Sequence, residues 1–306
     1  MASLTPTQRT LTPTQRTAHL MMDSGHSLFI TGVAGTGKSY TVESWLQHGQ
    51  VGVAVTGSTG VAAVRVGGMT LHRWAGIGLG DQPAWKLTAS ERWRGRTARA
   101  IARVKTLIID EVSMVSAKVL DLVHEMCMVA RACPQPFGGL QVIMVGDFGQ
   151  LAPVQEKREG FAFEARSWQA LDPIILQLTE PMRQTDPAFV ALLERARVGH
   201  FPLADQEMLR SRLRAYDPVG VSATRLMTHN VQVDVINASM LIQLPGPEQV
   251  YTAIEHGEEI ALKSLNDSCL SPRVLRLRVG ALVMFTKNEP TGAWVNGTTG
   301  EVIALG

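Results

Sequence analysis

Leu28-Phe-Ile-Thr-Gly-Val-Ala-Gly-Thr-Gly-Lys-Ser39 is the stretch on which the fold of this chain turns. β-prone residues lead into a glycine-rich loop, and Ser39 opens a segment that can run as a helix to Gln47. A strand, a glycine loop and a helix N-terminus in that order wrap backbone N–H groups around a phosphate chain. The glycines permit close backbone approach, Lys38 reaches the β- and γ-phosphate oxygens, and the Ser39 hydroxyl is placed to ligate magnesium. Taken alone, this octapeptide could be an ordinary glycine-rich loop. The strand before it and the helix after it favour the phosphate cradle, with Gly32, Val33, Ala34, Gly35, Thr36, Gly37, Lys38, Ser39 and Tyr40 as candidate nucleotide-binding residues.

Downstream, residues 106–110 form an apolar run that ends in Asp110-Glu111. Open α/β sheets bind ligands at the C-terminal edges of their strands. Asp110 there can hold the magnesium shell, and Glu111 can orient and deprotonate water, an arrangement suited to hydrolysis. An acidic pair merely capping a strand is the bland alternative. A third run, residues 141–146, leads into Gly146-Asp-Phe-Gly-Gln150, where Gln150 could touch both γ-phosphate and water or simply be a turn residue.

These runs, with others at 28–31, 51–56 and 174–178, alternate with helical stretches, which predicts a parallel sheet covered on both faces and an α/β class. Asp186 to Gly199 reads as a helix. Beyond it residues 221–229, 249–256, 273–287 and 300–305 read as β-rich, with a final hairpin at Asn296-Gly297. The expected partition is a lead-in (1–26), a first domain (27–175) carrying an insertion at about 81–105, and a partial second domain (176–306). The chain ends on what looks like a strand interior, so the second domain is expected to be incomplete.

Composition excludes several classes. With 45% hydrophobic and 18% charged residues, the chain is a folded globular one. A net charge of +2 gives no general attraction to nucleic acid. Three cysteines without CxxC spacing fit reduced thiols and no zinc site. No apolar run is long enough to span a bilayer, so no membrane association is expected. Residues 4–10 are repeated directly at 11–17, which makes one copy redundant.

These residues together resemble the superfamily-1B DNA helicases of the petite integration frequency (Pif) type. The resemblance runs through Gly32 to Ser39, Thr56-Gly-Ser-Thr-Gly-Val-Ala-Ala63, Gly67 to Gly80, Ile109-Asp-Glu-Val-Ser-Met114, Pro136-Phe-Gly-Gly139, Gly146 to Val154 and Leu178-Thr-Glu-Pro-Met-Arg-Gln184. It continues through Ala223-Thr-Arg-Leu226, Val279 to Met284 and Val295 to Gly300. The Gly67 to Gly80 and Gly146 to Val154 segments are the specific ones, since many NTPases share the glycine loop. Ala152 and Met182 depart from the usual proline and aromatic residue. The family's small inserted barrel, a His-Lys-x-Gln-Gly motif and a Ser-Arg pair are not expected within this length.

The resemblance implies two RecA-like domains with ATP and Mg²⁺ between them. It implies that Gln15 recognises adenine, Gln8 being its spare twin, and that Arg183 reaches over the γ-phosphate. It also implies that Ser58, Thr59, His72 and Arg73 face single-stranded DNA, with Thr224, Asn288 and Asn296 as weaker candidates. From the residues themselves, the interval 86–105 sets seven basic residues against Glu91, a local net charge of +6. Arg92, Arg96, Arg99 and Arg103 follow helical spacing and would form one basic stripe, with Trp85 and Trp93 as stacking faces. A solvated helix face is the ordinary alternative; the family places a duplex-splitting wedge in this interval.

The expectation is therefore an ATP-hydrolysing 5′-to-3′ DNA helicase, acting in replication, repair, recombination or telomere maintenance, monomeric, with single-stranded, forked or G-quadruplex DNA as partner. Its compartment would be a reducing one, cytoplasmic in a bacterium and nuclear or mitochondrial in a eukaryote. The alternatives are an ATP-modulated single-strand-binding module that does not unwind, and a P-loop NTPase acting on a protein or small molecule.

Overall fold

A computed structural model of the chain describes residues 11–306 apart from 66, 154–158, 181, 183–185, 214–224, 258–261, 263–268, 270, 287–288, 290–292 and 295–297. The chain divides into two compact units, one ending at Leu213 and the other starting at Arg214. The first is built on β1 (Leu28–Gly32), β2 (Val53–Gly57), β3 (Met69–Thr70), β4 (Thr106–Asp110), β5 (Gln141–Val145) and β6 (Ile174–Leu178). They form one six-stranded sheet in the order β3-β2-β4-β5-β1-β6. Every pairing is parallel, from Gly57 opposite Asp110 to Gly32 opposite Leu178. The five expected strands are all present; β3, too short to carry a pattern, was not foreseen.

Side-chain alternation explains why these strands read as continuous apolar runs. In β4, Leu107 and Ile109 point into one core and Ile108 into the other, and all five residues are buried. The Ile108 side is covered by α1 (Pro13–Asp23) through Ala18 and Met22, and by α2 (Lys38–Leu46) through Val42 and Trp45. The opposite side is covered by short helices and by the long one. Next to α3 (Gly60–Arg65), α4 (Leu71–Ala75) contributes Leu71 and Trp74; beyond α5 (Ala84–Thr88), α6 (Ala98–Arg103) contributes Ile101. Leu120, Val123 and Met126 come from α7 (Ala117–Arg131), which is followed by α8 (Arg166–Leu171).

The second copy of the sequence repeat starts α1. Thr12 is the N-cap, Pro13 takes the first turn, and Gln15 closes a capping box with Thr12. The first copy, with Gln8, lies outside the described residues.

The first compact unit runs to Leu213. β6 is the edge strand beside β1, and two further helices, α9 (Pro187–Arg197) and α10 (Leu203–Arg210), stay with the first unit. Asp186 caps α9 through the Ala188 and Phe189 amides. A bidentate pair, Arg195 Nε and Nη2 on Asp205 at 2.6 Å each, joins α9 to α10.

In the second unit the described strands pair antiparallel: β7 (Gln249–Thr252) with β8 (Val274–Leu277), and β9 (Leu282–Met284) with β10 (Thr299–Glu301). Strands were expected at each of these places. A helix, α11 (Asn230–Gln243), was not foreseen; its valines and isoleucines give little helical periodicity. Among the described residues no helix is long and apolar enough to cross a membrane.

Candidate functional site

Gly32 ends β1, and the loop after it passes into α2 at Lys38, with Gly37 as a left-handed N-cap residue at φ 82°. A Cβ at Gly37 would lie 2.7 Å from Gln15 Nε2, so glycine is needed for packing as well as for the turn. Gln15 is fully buried: its Nε2 donates to Thr36 O at 3.3 Å and its Oε1 accepts from Thr12 N at 3.0 Å. Its amide is thus fixed against the loop by groups on both sides. Lys38 Nζ donates to Gly32 O at 2.8 Å and Val33 O at 3.3 Å. Burial lowers the Lys38 pKa, an effect that the carboxylates of Asp147, Glu111 and Asp110 partly offset.

The acidic pair sits where β4 ends, one strand away from β5. Asp110 is buried; its Oδ1 accepts from the Glu111 amide at 3.0 Å and its Oδ2 lies 3.4 Å from Ser39 Oγ. A hydroxyl and a carboxylate this close are hard oxygen donors of the kind Mg²⁺ takes, the remaining positions falling to water and phosphate oxygens. Glu111 occupies the left-handed region, φ 54° and ψ 46°, which turns the chain away from the strand direction immediately after Asp110. Ser39 and Asp110 are thus in hydrogen-bond contact, and the carboxylates of Asp110 and Glu111 lie close enough to Lys38 to act on it.

Beyond β5, Gln150 is exposed and its Nε2 donates to Asp147 Oδ2 at 3.3 Å. Asp147 is almost fully buried and was not among the expected site residues, although the motif containing it was recognised. It also takes the Gly149 amide at 3.0 Å and a fork from Arg197, Nε at 2.9 Å and Nη2 at 2.7 Å to Oδ1. Burial pushes the Asp147 carboxyl up, but the hydrogen bonds from Arg197 and Gly149 outweigh it and hold it below the ordinary carboxylate range. Arg197 was missed entirely; fifty residues separate it from Asp147, and no local signal links them. A cleft of about 290 Å³ opens between Val33 and Ala34, the 147–150 turn and α9.

Arg183 lies outside the described residues, as do Thr224, Asn288 and Asn296. Met182, the residue before Arg183, donates its amide to Gly35 O at 2.8 Å and ties that segment to the glycine loop.

On the candidate nucleic-acid face, Ser58 follows β2 with its amide on Asp110 O at 3.2 Å, and Thr59 Oγ1 accepts the Ala62 amide at 3.2 Å. Arg73 is exposed on α4, while His72 beside it is half-buried. Burial lowers the His72 pKa, against a smaller upward pull from Glu159. Arg92, Arg96, Arg99 and Arg103 are all exposed. They do not form the straight stripe expected, because residues Trp93–Thr97 wind as a π-turn. The wider turn offsets Arg92 and Arg96 from the row that Arg99 and Arg103 share on α6. Trp93 is buried and donates Nε1 to Ala75 O at 3.0 Å, so it belongs to the core; Trp85 is the exposed aromatic, at 74%.

Residues 3–202 match the family model described as PIF1-like helicase, and residues 261–305 match that of the DNA helicase Pif1, 2B domain. The second match revises the expectation that no inserted domain of the family falls within this length. The mouse ATP-dependent DNA helicase PIF1 is 39% identical over 292 residues, which are 93% of this chain and 44% of that protein. The human protein of the same name is 37% identical over 288 residues, again 44% of its length. The chain therefore spans less than half the length of these curated relatives. Among solved structures, the Pif1 helicase from Candida albicans is similar with a TM-score of 0.89 and 35% identity over 97% of this chain and 69% of that one. A Bacteroides Pif1 helicase in complex with ADP-AlF3 and single-stranded DNA has a TM-score of 0.72 and 27% identity, covering 98% and 71%. With a family model matched across the whole nucleotide loop, acidic pair and Gln150 turn, this chain belongs to the PIF1-like helicases.

Proposed function

We propose that this chain is the ATP-hydrolysing part of a 5′-to-3′ DNA helicase that moves on single-stranded DNA. The observation that carries this is the convergence of Lys38, Ser39, Asp110, Glu111 and the Asp147–Gln150 turn at the C-terminal ends of neighbouring strands. In this reading Lys38 and the loop amides hold the phosphates, and Ser39 and Asp110 hold Mg²⁺. Glu111 takes the proton of the attacking water, and Gln150 orients that water. Gln15 contacts adenine, and Arg183 neutralises charge developing on the transferred phosphoryl group. A relative's complex with ADP-AlF3 and single-stranded DNA supports a shared logic of nucleotide and strand.

Single-stranded DNA would run past Ser58, Thr59, His72 and Arg73, with the arginines of residues 92–103 at a fork. Forked DNA accords with a solved structure of two coordinating Pif1 helicases at forked duplex DNA; G-quadruplex action follows from the family resemblance, and the chain is proposed to act as a monomer. The domain scheme proposed is a first RecA-like domain, then a part of the second that holds the segment matching the 2B domain.

The test is steady-state ATP hydrolysis with and without single-stranded DNA at fixed low salt. Hydrolysis by the wild-type chain, raised by DNA, is expected. Glu111→Gln should retain nucleotide binding and lose turnover by at least about a hundredfold, while Lys38→Ala should weaken both. Full turnover in Glu111→Gln would remove it as the base. Tight DNA binding without hydrolysis in the wild type would identify a binding module.

A further inference from the structure

The Asp147 carboxylate is a junction between two parts of the first unit. Its Oδ1 takes Arg197 Nε and Nη2 and the Gly149 amide; its Oδ2 takes Arg197 Nε at 3.1 Å and the Gln150 side-chain amide at 3.3 Å. The Gln150 backbone amide also closes on Asp147 O at 2.9 Å. Gln150 is therefore held to α9 through one buried carboxylate. The turn is shaped to receive the arginine: a Cβ at Gly149 would come within 2.7 Å of Arg197 Cγ and 2.9 Å of its Nε. Both charges lie close enough to Lys38 to act on it in opposite senses.

Two contacts tie this region to the glycine loop and the 147–150 turn. Met182 N is held to Gly35 O, and Arg197 holds the end of α9 to Asp147. We propose that Arg197 is a positioning residue for nucleotide hydrolysis, setting the side chain of Gln150 through Asp147. A guanidinium suits this task because its planar fork fixes the rotation of the carboxylate, and with it the oxygen that Gln150 meets. A lysine would satisfy the charge but leave the carboxylate free to rotate.

This inference rests on the hydrolytic reading above, and the experiment separates the two. Kinetics of ATP hydrolysis at saturating single-stranded DNA would be measured for wild type, Arg197→Lys, Gln150→Ala and the double variant. Arg197→Lys is expected to lower kcat about tenfold, with KM for ATP and ADP affinity within about twofold of wild type. If Arg197 acts through Gln150, the double variant is no slower than Gln150→Ala within about twofold. Losses that multiply in the double variant would mean that the two residues act separately, which overturns the proposal. Should Arg197→Lys not fold, Gly149→Ala displaces the arginine while leaving both charges in place, and the same cycle is run with it. A wild-type chain without hydrolysis overturns both readings; wild-type hydrolysis matched by Arg197→Lys overturns the positioning role alone.

Discussion

Asp147 accepts hydrogen bonds from Arg197, the Gly149 amide and Gln150 beside the glycine loop. Its carboxylate is buried, and one arginine supplies most of its compensation. Asp147→Asn takes the anionic partner from Arg197, whose side chain is 33% exposed, and weakens the hydrogen bonds that the carboxylate accepts, so it is expected to cost about 2 kcal/mol at pH 7. Because its folded pKa is depressed, the group contributes stability fully above the ordinary carboxylate value, and the contribution fades as pH falls through the folded value. Urea denaturation at a series of pH values should therefore show the gap between Asp147→Asn and wild type closing under acid conditions. A gap independent of pH would mean that packing, and not charge, is what Asn fails to supply. Local signals made Lys38, Ser39, Asp110 and Glu111 legible, since each sits at a fixed offset from a strand end or a glycine. Arg197 had no such offset: it meets Asp147 only because α9 folds back over the loop.

At the scale of elements, strand reading succeeded because buried parallel strands are apolar on both faces, as the two cores flanking β4 show. Residues 86–105 were harder, because helical spacing assumes an unbroken α-helix. The π-turn inserts a wider winding that brings Trp93 onto Ala75 O and moves Arg92 and Arg96 off the row of Arg99 and Arg103. The exposed arginines on either side remain available to phosphates. Reversing Arg96 and Arg99 to Glu is expected to weaken single-strand binding and to reduce the slope of log affinity against log salt by about one to two. Affinity titrations at several salt concentrations check this; an unchanged slope would return these arginines to an ordinary solvated face.

At the scale of the whole molecule, the two units differ in how much they bury. The first places two cores on either side of a six-stranded sheet, whereas among the described residues of the second only Ala281 is a buried hydrophobic. No residue of α11 is buried, and Val231 and Val235 are exposed at 74% and 64%. Segments with few buried contacts open at low free energy. Hydrogen-exchange mass spectrometry should show amides of residues 230–243 exchanging orders of magnitude faster than those of β4 and β5. Equal protection would point to a single cooperative unit. This contrast was partly legible: the first unit has alternating elements of clear type, while the second has short antiparallel pairs joined to a helix whose β-branched residues obscured it.

Glu111 takes a backbone conformation that side chains other than glycine seldom adopt, and it does so at the position proposed to activate water. Such a conformation costs on the order of 1 kcal/mol or more, which a glycine would recover. Heat resistance and turnover therefore pull this position in opposite directions. A library screened for thermal survival alone would be drawn to replace the carboxylate, enriching sturdy molecules that have surrendered their chemistry. The same screen run with a turnover requirement would hold Glu111 in place and have to find its gains elsewhere.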